Sequence, residues 1–186
     1  MKQIIRIAGI GSRGLNPEQL QHCETLGRWV VQQGFELHSG GAIGADQAFV
    51  RGGASANPEL VHIHIPWASY ERANIPAGAH TDVLQNLSSQ VLDYYRKLAQ
   101  EHHPAWSRLT RGGQALHARN GRIIQPTPHT NVDLILAWPS EKIGGGGTGG
   151  GMRIGKSLGV PVVDLSRFRS REDFHNLCEQ IRKLHP

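Results

Sequence analysis

Residues 132–165 read VDLILAW PSEKI GGGGTGGG MRIGKSLG VPVVDL, and the interpretation of this stretch decides the fold. Val132–Trp138 is a β-rich apolar run that predicts a buried strand. Gly144–Gly151 has seven glycines in eight residues. Met152–Leu158 suggests a short helix, and Val160–Leu165 a further strand. The glycine stretch is either a slack linker between two units or a cradle for a ligand. Only 35 residues follow Gly151, too few to form a core of their own. The expectation is therefore a cradle at the carboxyl end of a strand.

Working outward, the same alternation recurs. Ile4–Ile10 is a β-branched run ending in glycine. Asn16-Pro17-Glu18 signals a helix start, with asparagine as cap and proline in the first turn. Leu20, Cys23, Leu26, Val30 and Val31 then follow helical spacing up to Gly34. Phe35–His38 predicts a second strand, Ala45–Val50 a short helix and Leu60–Ile65 a third strand stopped by Pro66. Val83, Leu84, Leu87, Val91, Leu92, Tyr95 and Leu98 mark a long amphipathic helix, which Pro104 ends. Another helix is expected over 113–124, and a closing one over 171–184. Strands that alternate with helices and are nearly continuously apolar suit a parallel sheet covered on both faces. The expected architecture is an α/β, Rossmann-like, doubly wound fold. It has a mainly parallel five-stranded sheet in one domain spanning residues 1–186. A helical segment at about 81–117 has no assigned role.

The 186 residues are 38% apolar and carry a formal charge of +5, with a pI near 9.6. That balance favours anionic partners, but the basic residues are scattered rather than gathered into a nucleic-acid-binding arm. Cys23 and Cys178 form no CxxC pair or zinc-spaced cluster. The N-terminus has a charge inside its short apolar run, unlike a signal peptide, and no stretch is apolar enough to span a membrane. A reduced, cytoplasmic protein is expected.

Several motifs bear on chemistry. Gly150–Ser157 satisfies GxxxxGKS, the phosphate-loop pattern, but Gly159 and Pro161 leave no room for a helix beyond Lys156. Lys156 is better read as a solvated cation at a helix end. Gly9–Gly14 satisfies GxGxxG between a strand and a helix, yet no acid ends the second strand, as a dinucleotide site requires. A phosphate-binding turn using Gly11, Ser12 and Arg13 fits better. Ser39–Asp46 (SGGAIGAD) repeats the device, with Gly40, Gly41 and Gly44 allowing close backbone approach to a ligand. Trp67 and Trp138 end strands at the same edge, where either can stack a base. Of the eleven histidines, His62 and His64 share one face of a strand and His102 and His103 are adjacent. Neither pair shows a third ligand, so no metal or other cofactor is expected.

GSR at 11–13, SGGAIGAD at 39–46, ARN at 118–120 and GGGTGGGM before GVPVV together resemble the SLOG superfamily, over roughly residues 4–165. The closest likeness is to its small stand-alone branch. The superfamily also includes the Lonely Guy phosphoribohydrolases and the Rossmann-like core of DNA-processing protein A. The resemblance implies a nucleotide-binding pocket. In it Ser12, Arg13, Gly145, Gly146, Gly147 and Thr148 would meet phosphate, and Ser39, Gly40, Gly41, Gly44 and Asp46 would line the wall. Asp46 would meet ribose hydroxyls or serve as the catalytic carboxylate, with Arg119 and Asn120 entering from the middle segment. The hydrolases carry PGGxGTxxE, and Gly151 stands where that pattern has its glutamate. A departing ribosyl carbon needs a carboxylate, and Asp46, Glu71 and Asp82 are the substitutes in the chain. The missing glutamate favours binding of a nucleotide or nucleotide-derived signal, for sensing or sequestration. N-glycosidic hydrolysis is the alternative and single-strand DNA binding the third reading. The family also implies a homo-oligomer and a place near bacterial conflict systems.

Overall fold

The computed structural model describes residues 4–141 and 146–184. Six strands, β1 (Arg6–Gly11), β2 (Glu36–Ser39), β3 (Val61–Ile65), β4 (His80–Val83), β5 (Leu134–Trp138) and β6 (Val162–Asp164), form one parallel sheet in the order β4-β3-β2-β1-β5-β6. The helices are α1 (Pro17–Gln32), α2 (Ala45–Ala56), α3 (Ser89–Glu101), α4 (Arg111–Ile124), α5 (Gly146–Ser157) and α6 (Arg171–Arg182). The α/β doubly wound expectation holds, with one strand more than expected. The extra strand is β4, an edge strand paired only with β3. Its Val83 fits the apolar spacing of the helix that follows, which hides the strand. Ser88 caps that helix by accepting from the Val91 N–H, so α3 starts well after Val83.

Each strand alternates its side chains between two layers. Ile7, Leu37, Ile63, Ile65 and Leu136 pack on one face against α1, α2 and α6, through residues such as Val30, Phe49, Leu177 and Ile181. There α1 and α2 touch backbone to backbone: a Cβ on Gly27 would run into the Phe49 carbonyl, and one on Gly52 into the Glu24 carbonyl. Ala8, Ile10, Ile135 and Ala137 face the other way, against Tyr95, Leu98, Ile123, Ile124 and Ile154 of α3, α4 and α5. This second face is apolar at Ala8 and Ile10 of β1 and over β5 but polar at Arg6 and over β2, β3 and β4, where it carries Glu36, His38, His62, His64, His80 and Asp82, with Arg6 3.1 Å from Glu36.

The glycine stretch differs from expectation. From Gly146 onward it is not a loop: Gly146–Gly151 form the first turns of α5. Gly144 and Gly145 lie outside the described residues. Lys156 is exposed in the last turn of α5, at the wrong end of the helix for a phosphate-loop lysine.

Candidate functional site

The chain reverses its winding direction between β1 and β5, and in parallel sheets the crevice beyond the carboxyl ends at such a point takes the ligand. A cleft of about 1080 Å³ opens there. Its walls come from the β1–α1 turn (Gly11, Ser12, Arg13), the start of α1 (Asn16, Gln19) and the end of β5 (Trp138 to Glu141). The first residues of α5 and the inner face of α4 complete them.

Asp46 lies at the cleft floor in the first turn of α2. Its Oδ1 accepts from the Gly11 N–H at 3.1 Å, and its Oδ2 lies 3.7 Å from Arg119 Nη1. Both side chains are almost fully buried. Burial pushes the Asp46 carboxyl upward, while Arg119 and the N–H groups of Gly11 and Ala42 oppose that shift. The same Arg119 Nη1 donates to the carbonyls of Gly40 and His64, the latter at 3.2 Å. Arg119 thus bolts α4 to the ends of β2 and β3. A Cβ at residue 40 would collide with both the guanidinium and the carboxylate, which is why glycine is required there.

This geometry sorts the sequence candidates. Gly11, Ser12, Arg13, Asp46, Arg119, Asn120, Trp138, Gly146, Gly147 and Thr148 come together around the cleft. Gly145 falls outside the described residues. Ser39, Gly40, Gly41, Gly44 and Trp67 do not line it. Ser39 is buried and donates to the Gly9 carbonyl at 2.7 Å. Gly44 has φ 98°, and a Cβ there would lie 2.5 Å from the Ser12 carbonyl, so it lets the β1–α1 turn pass over α2. Gly41 packs on Ile63. Trp67 stands edge-on to Tyr70, with ring centroids 5.3 Å apart. Of the substitute carboxylates, Glu71 does not line the cleft, and Asp82 pairs with Arg122 on the far side of β3. Gly151 is buried and does not line the cleft, and a Cβ there would meet Ile10 Cδ1 at 2.9 Å.

Sequence reasoning missed several participants. Tyr70 accepts from Arg13 Nη2 at 3.1 Å, and the Arg119 guanidinium lies over its ring at 5.6 Å, so one phenol positions two arginines. No motif marks it. Asn16 was legible as a helix cap but also lines the cleft, as does Gln19, which no reading of the sequence singled out. Ser166 and Arg169 enter from the turn after β6, and His117 from α4. Burial, aided by the positive charge of its neighbours, pushes His117 down to about 4, so it is a neutral imidazole at pH 7. Asn120 Nδ2 donates to the Gly147 carbonyl at 3.1 Å and ties α4 to the start of α5.

Among the lining residues the cations are Arg13, Arg119 and Arg169, and the carboxylates are Asp46 and Glu141. The N-terminal end of α5 adds N–H groups that have no partner within their own helix, and α1 directs the positive end of its dipole at the cleft. The arrangement suits an anion.

No protein-family model matches the chain, and no curated protein does either. Solved structures do. DNA processing protein A from Helicobacter pylori, described for its single-stranded DNA binding mode, is similar with a TM-score of 0.61 and 17% identity. That match covers 98% of this chain and 82% of the other. The structural-genomics target TM1055 is similar with a TM-score of 0.51 and 18% identity, over 87% of this chain and 72% of the other. At these identities the likeness is one of fold: the chain has a Rossmann-like α/β fold of the kind found in DNA processing protein A.

Proposed function

We propose that the cleft binds a phosphate-bearing nucleotide or nucleotide-derived molecule, to sense or sequester it. One observation carries this reading: the N-termini of α1 and α5 and the Arg13 side chain converge on one cleft at the topological switch point. Arg13 is exposed yet oriented by Tyr70, which suits a phosphate clamp. Trp138 offers an aromatic surface on the same wall.

N-glycosidic hydrolysis is less well supported. Asp46 has one carboxylate oxygen held by a backbone N–H and the other facing a buried arginine, which leaves it poorly placed to activate water. Residue 151 is a buried glycine that does not line the cleft, so the carboxylate of the hydrolase pattern has no counterpart there. Glu141 is the exposed carboxylate at the rim. The single-stranded DNA reading rests on a likeness of fold to one protein described for binding such DNA, and on the basic charge of the chain.

The test begins with the purified protein, denatured so that any retained small molecule can be identified by mass spectrometry. Calorimetric titration with nucleoside monophosphates, ADP-ribose and cyclic dinucleotides follows. At least one phosphate compound is expected to bind, about tenfold or more weakly to Arg13→Ala, as the loss of a charge-assisted bond implies. Absence of binding across the panel, with nothing released on denaturation, overturns the reading.

A further inference from the structure

Behind the cleft, on the polar part of the second sheet face, six ionisable side chains lie side by side across three strands. His38, His62 and His80 are in register on β2, β3 and β4. Their rings stack with centroids 4.6 Å apart for His38–His62 and 4.8 Å for His62–His80. Glu36, two residues before His38, shares its face. Glu36 Oε2 lies 3.5 Å from His38 Nε2, and Oε1 lies 3.8 Å from His62 Nε2. The ligand-type atoms of these three residues all fall within 4.8 Å of one another.

Proton counting shows that the cluster is incomplete. Glu36, His38, His64 and Asp82 form a chain of three contacts. The middle one, His38 Nδ1 to His64 Nε2, is 3.0 Å, and the contacts to the carboxylates at either end are both 3.5 Å. Two neutral imidazoles supply two N–H protons, and the middle contact uses one. One end must therefore set a nitrogen lone pair against a carboxylate, inside the protein, where an unmatched polar atom is costly. His38 is 2% exposed, and its Nε2, like His64 Nδ1 at the other end, is a buried atom with no hydrogen-bond partner. Each carboxylate also has an arginine, Arg122 at 3.4 Å from Asp82 and Arg6 at 3.1 Å from Glu36 Oε2. With the protons directed toward Asp82, the His38 Nε2 lone pair is aimed toward Glu36, where a second imidazole, His62, converges on Oε1. Arg6 compensates the carboxylate but does not meet the imidazole lone pair; a metal ion, which accepts that lone pair, resolves the mismatch.

We propose that Glu36, His38 and His62 form a binding site for one divalent transition-metal ion of the zinc class, with solvent completing the coordination. Tetrahedral zinc with ligand bonds of about 2.0–2.2 Å sets its ligand atoms about 3.3–3.6 Å apart; the two Glu36 contacts, at 3.5 and 3.8 Å, are near that range, and all three ligand atoms lie within 4.8 Å. The His64–Asp82 chain supplies the outer support that metal-bound histidines commonly have: it fixes the His38 tautomer and leaves Nε2 as the ligand atom. The residues are in ligating form at neutral pH. Burial holds His38 below the usual imidazole range and takes His62 down to about 4. Binding asks one adjustment. The near-parallel His62 ring must turn to aim its nitrogen at the shared ion, and its side chain is 23% exposed, so it has room.

The test uses the whole purified protein with zinc and with cobalt(II), whose visible absorption reports a tetrahedral site. After dialysis against a weak chelator, one ion per chain is expected by elemental analysis. Zinc binding should weaken at least tenfold in His62→Ala and in Glu36→Gln, with far-UV circular dichroism unchanged. His103 and His117, whose rings lie 4.3 Å apart, are the rival histidine pair. A His103→Ala/His117→Ala variant should keep both the ion and the cobalt spectrum. Loss of binding in that double variant, or equal retention by wild type and His62→Ala, overturns the proposal. So does histidine 15N NMR in which zinc leaves the His38 and His62 signals unmoved. All of these readouts are taken on the metal, without nucleotide, and of the residues changed His117 alone lines the nucleotide cleft.

Discussion

Arg119 is the residue on which the cleft floor depends. It is buried, faces a buried carboxylate and donates to the carbonyls of two different strand ends. Removing one partner of a buried ion pair strands the other without compensation, at a cost of about 3–5 kcal/mol. Arg119→Ala is accordingly expected to lose that much stability in urea unfolding. Arg119→Met combined with Asp46→Asn should lose less than the sum of the two single changes, because it removes both charges. Purely additive losses would mean the pair is not coupled. Gly151 supports a second prediction. Installing the glutamate of the hydrolase pattern there would direct a carboxylate at Ile10 in the apolar layer between α5 and β1. Gly151→Glu should destabilise the fold by several kcal/mol and create no base-releasing activity. A stable variant that releases free base from a nucleoside monophosphate would refute that assignment of the residue.

At the scale of elements, the start of α1 was fully legible and the start of α5 was not, for a physical reason. Asn16-Pro17 is a start signal written in the chain. The structure realises it as a reciprocal capping box, in which Asn16 Oδ1 accepts from the Gln19 N–H and Gln19 Oε1 from the Asn16 N–H, both at 2.9 Å. By contrast α5 has six glycines in twelve residues, each about 1 kcal/mol worse than alanine for helix formation. Local propensity therefore argues for a loop. Packing overrides it because the helix is pressed against its neighbours: a Cβ at residues 147, 150, 151 or 155 would meet Asn120, His117, Ile10 or Ile135. Contacts made by residues far away in sequence cannot be read from a window of eight. The capping box yields a prediction that separates stability from binding. Asn16→Ala should cost about 1 kcal/mol in thermal or urea unfolding. Asn16→Asp keeps an oxygen acceptor at the cap but places a negative charge on the cleft wall. It should leave stability within a few tenths of a kcal/mol while weakening a phosphate ligand severalfold by titration. Equal affinity in Asn16→Asp would place the phosphate away from α1.

For the molecule as a whole, the apolar runs marked five of the six strands, and their alternation with helices led to the parallel doubly wound fold. The spatial order of strands was not in any one motif. It determines that the turns after β1 and β5 flank the cleft, while Ser39, Gly40, Gly41 and Gly44 after β2 serve packing around it. The histidines of β2, β3 and β4 likewise become neighbours only once the register is known. The same global view separates the two anionic partners. The net charge of +5 acts on any polyanion, whereas the cleft gathers donors at one point. A nucleotide held there engages a few cations, so its affinity should fall less than about tenfold between 50 and 200 mM salt. Single-stranded DNA binding across the basic surface would displace many counterions. If it neutralised six or more phosphates, its affinity would fall by a hundredfold or more over the same range. The expected result is a shallow salt dependence for the nucleotide and displacement of a fluorescent nucleotide analogue by free nucleotide but not by a short oligonucleotide. A steep dependence, with the oligonucleotide the better competitor, would transfer the cleft to nucleic acid.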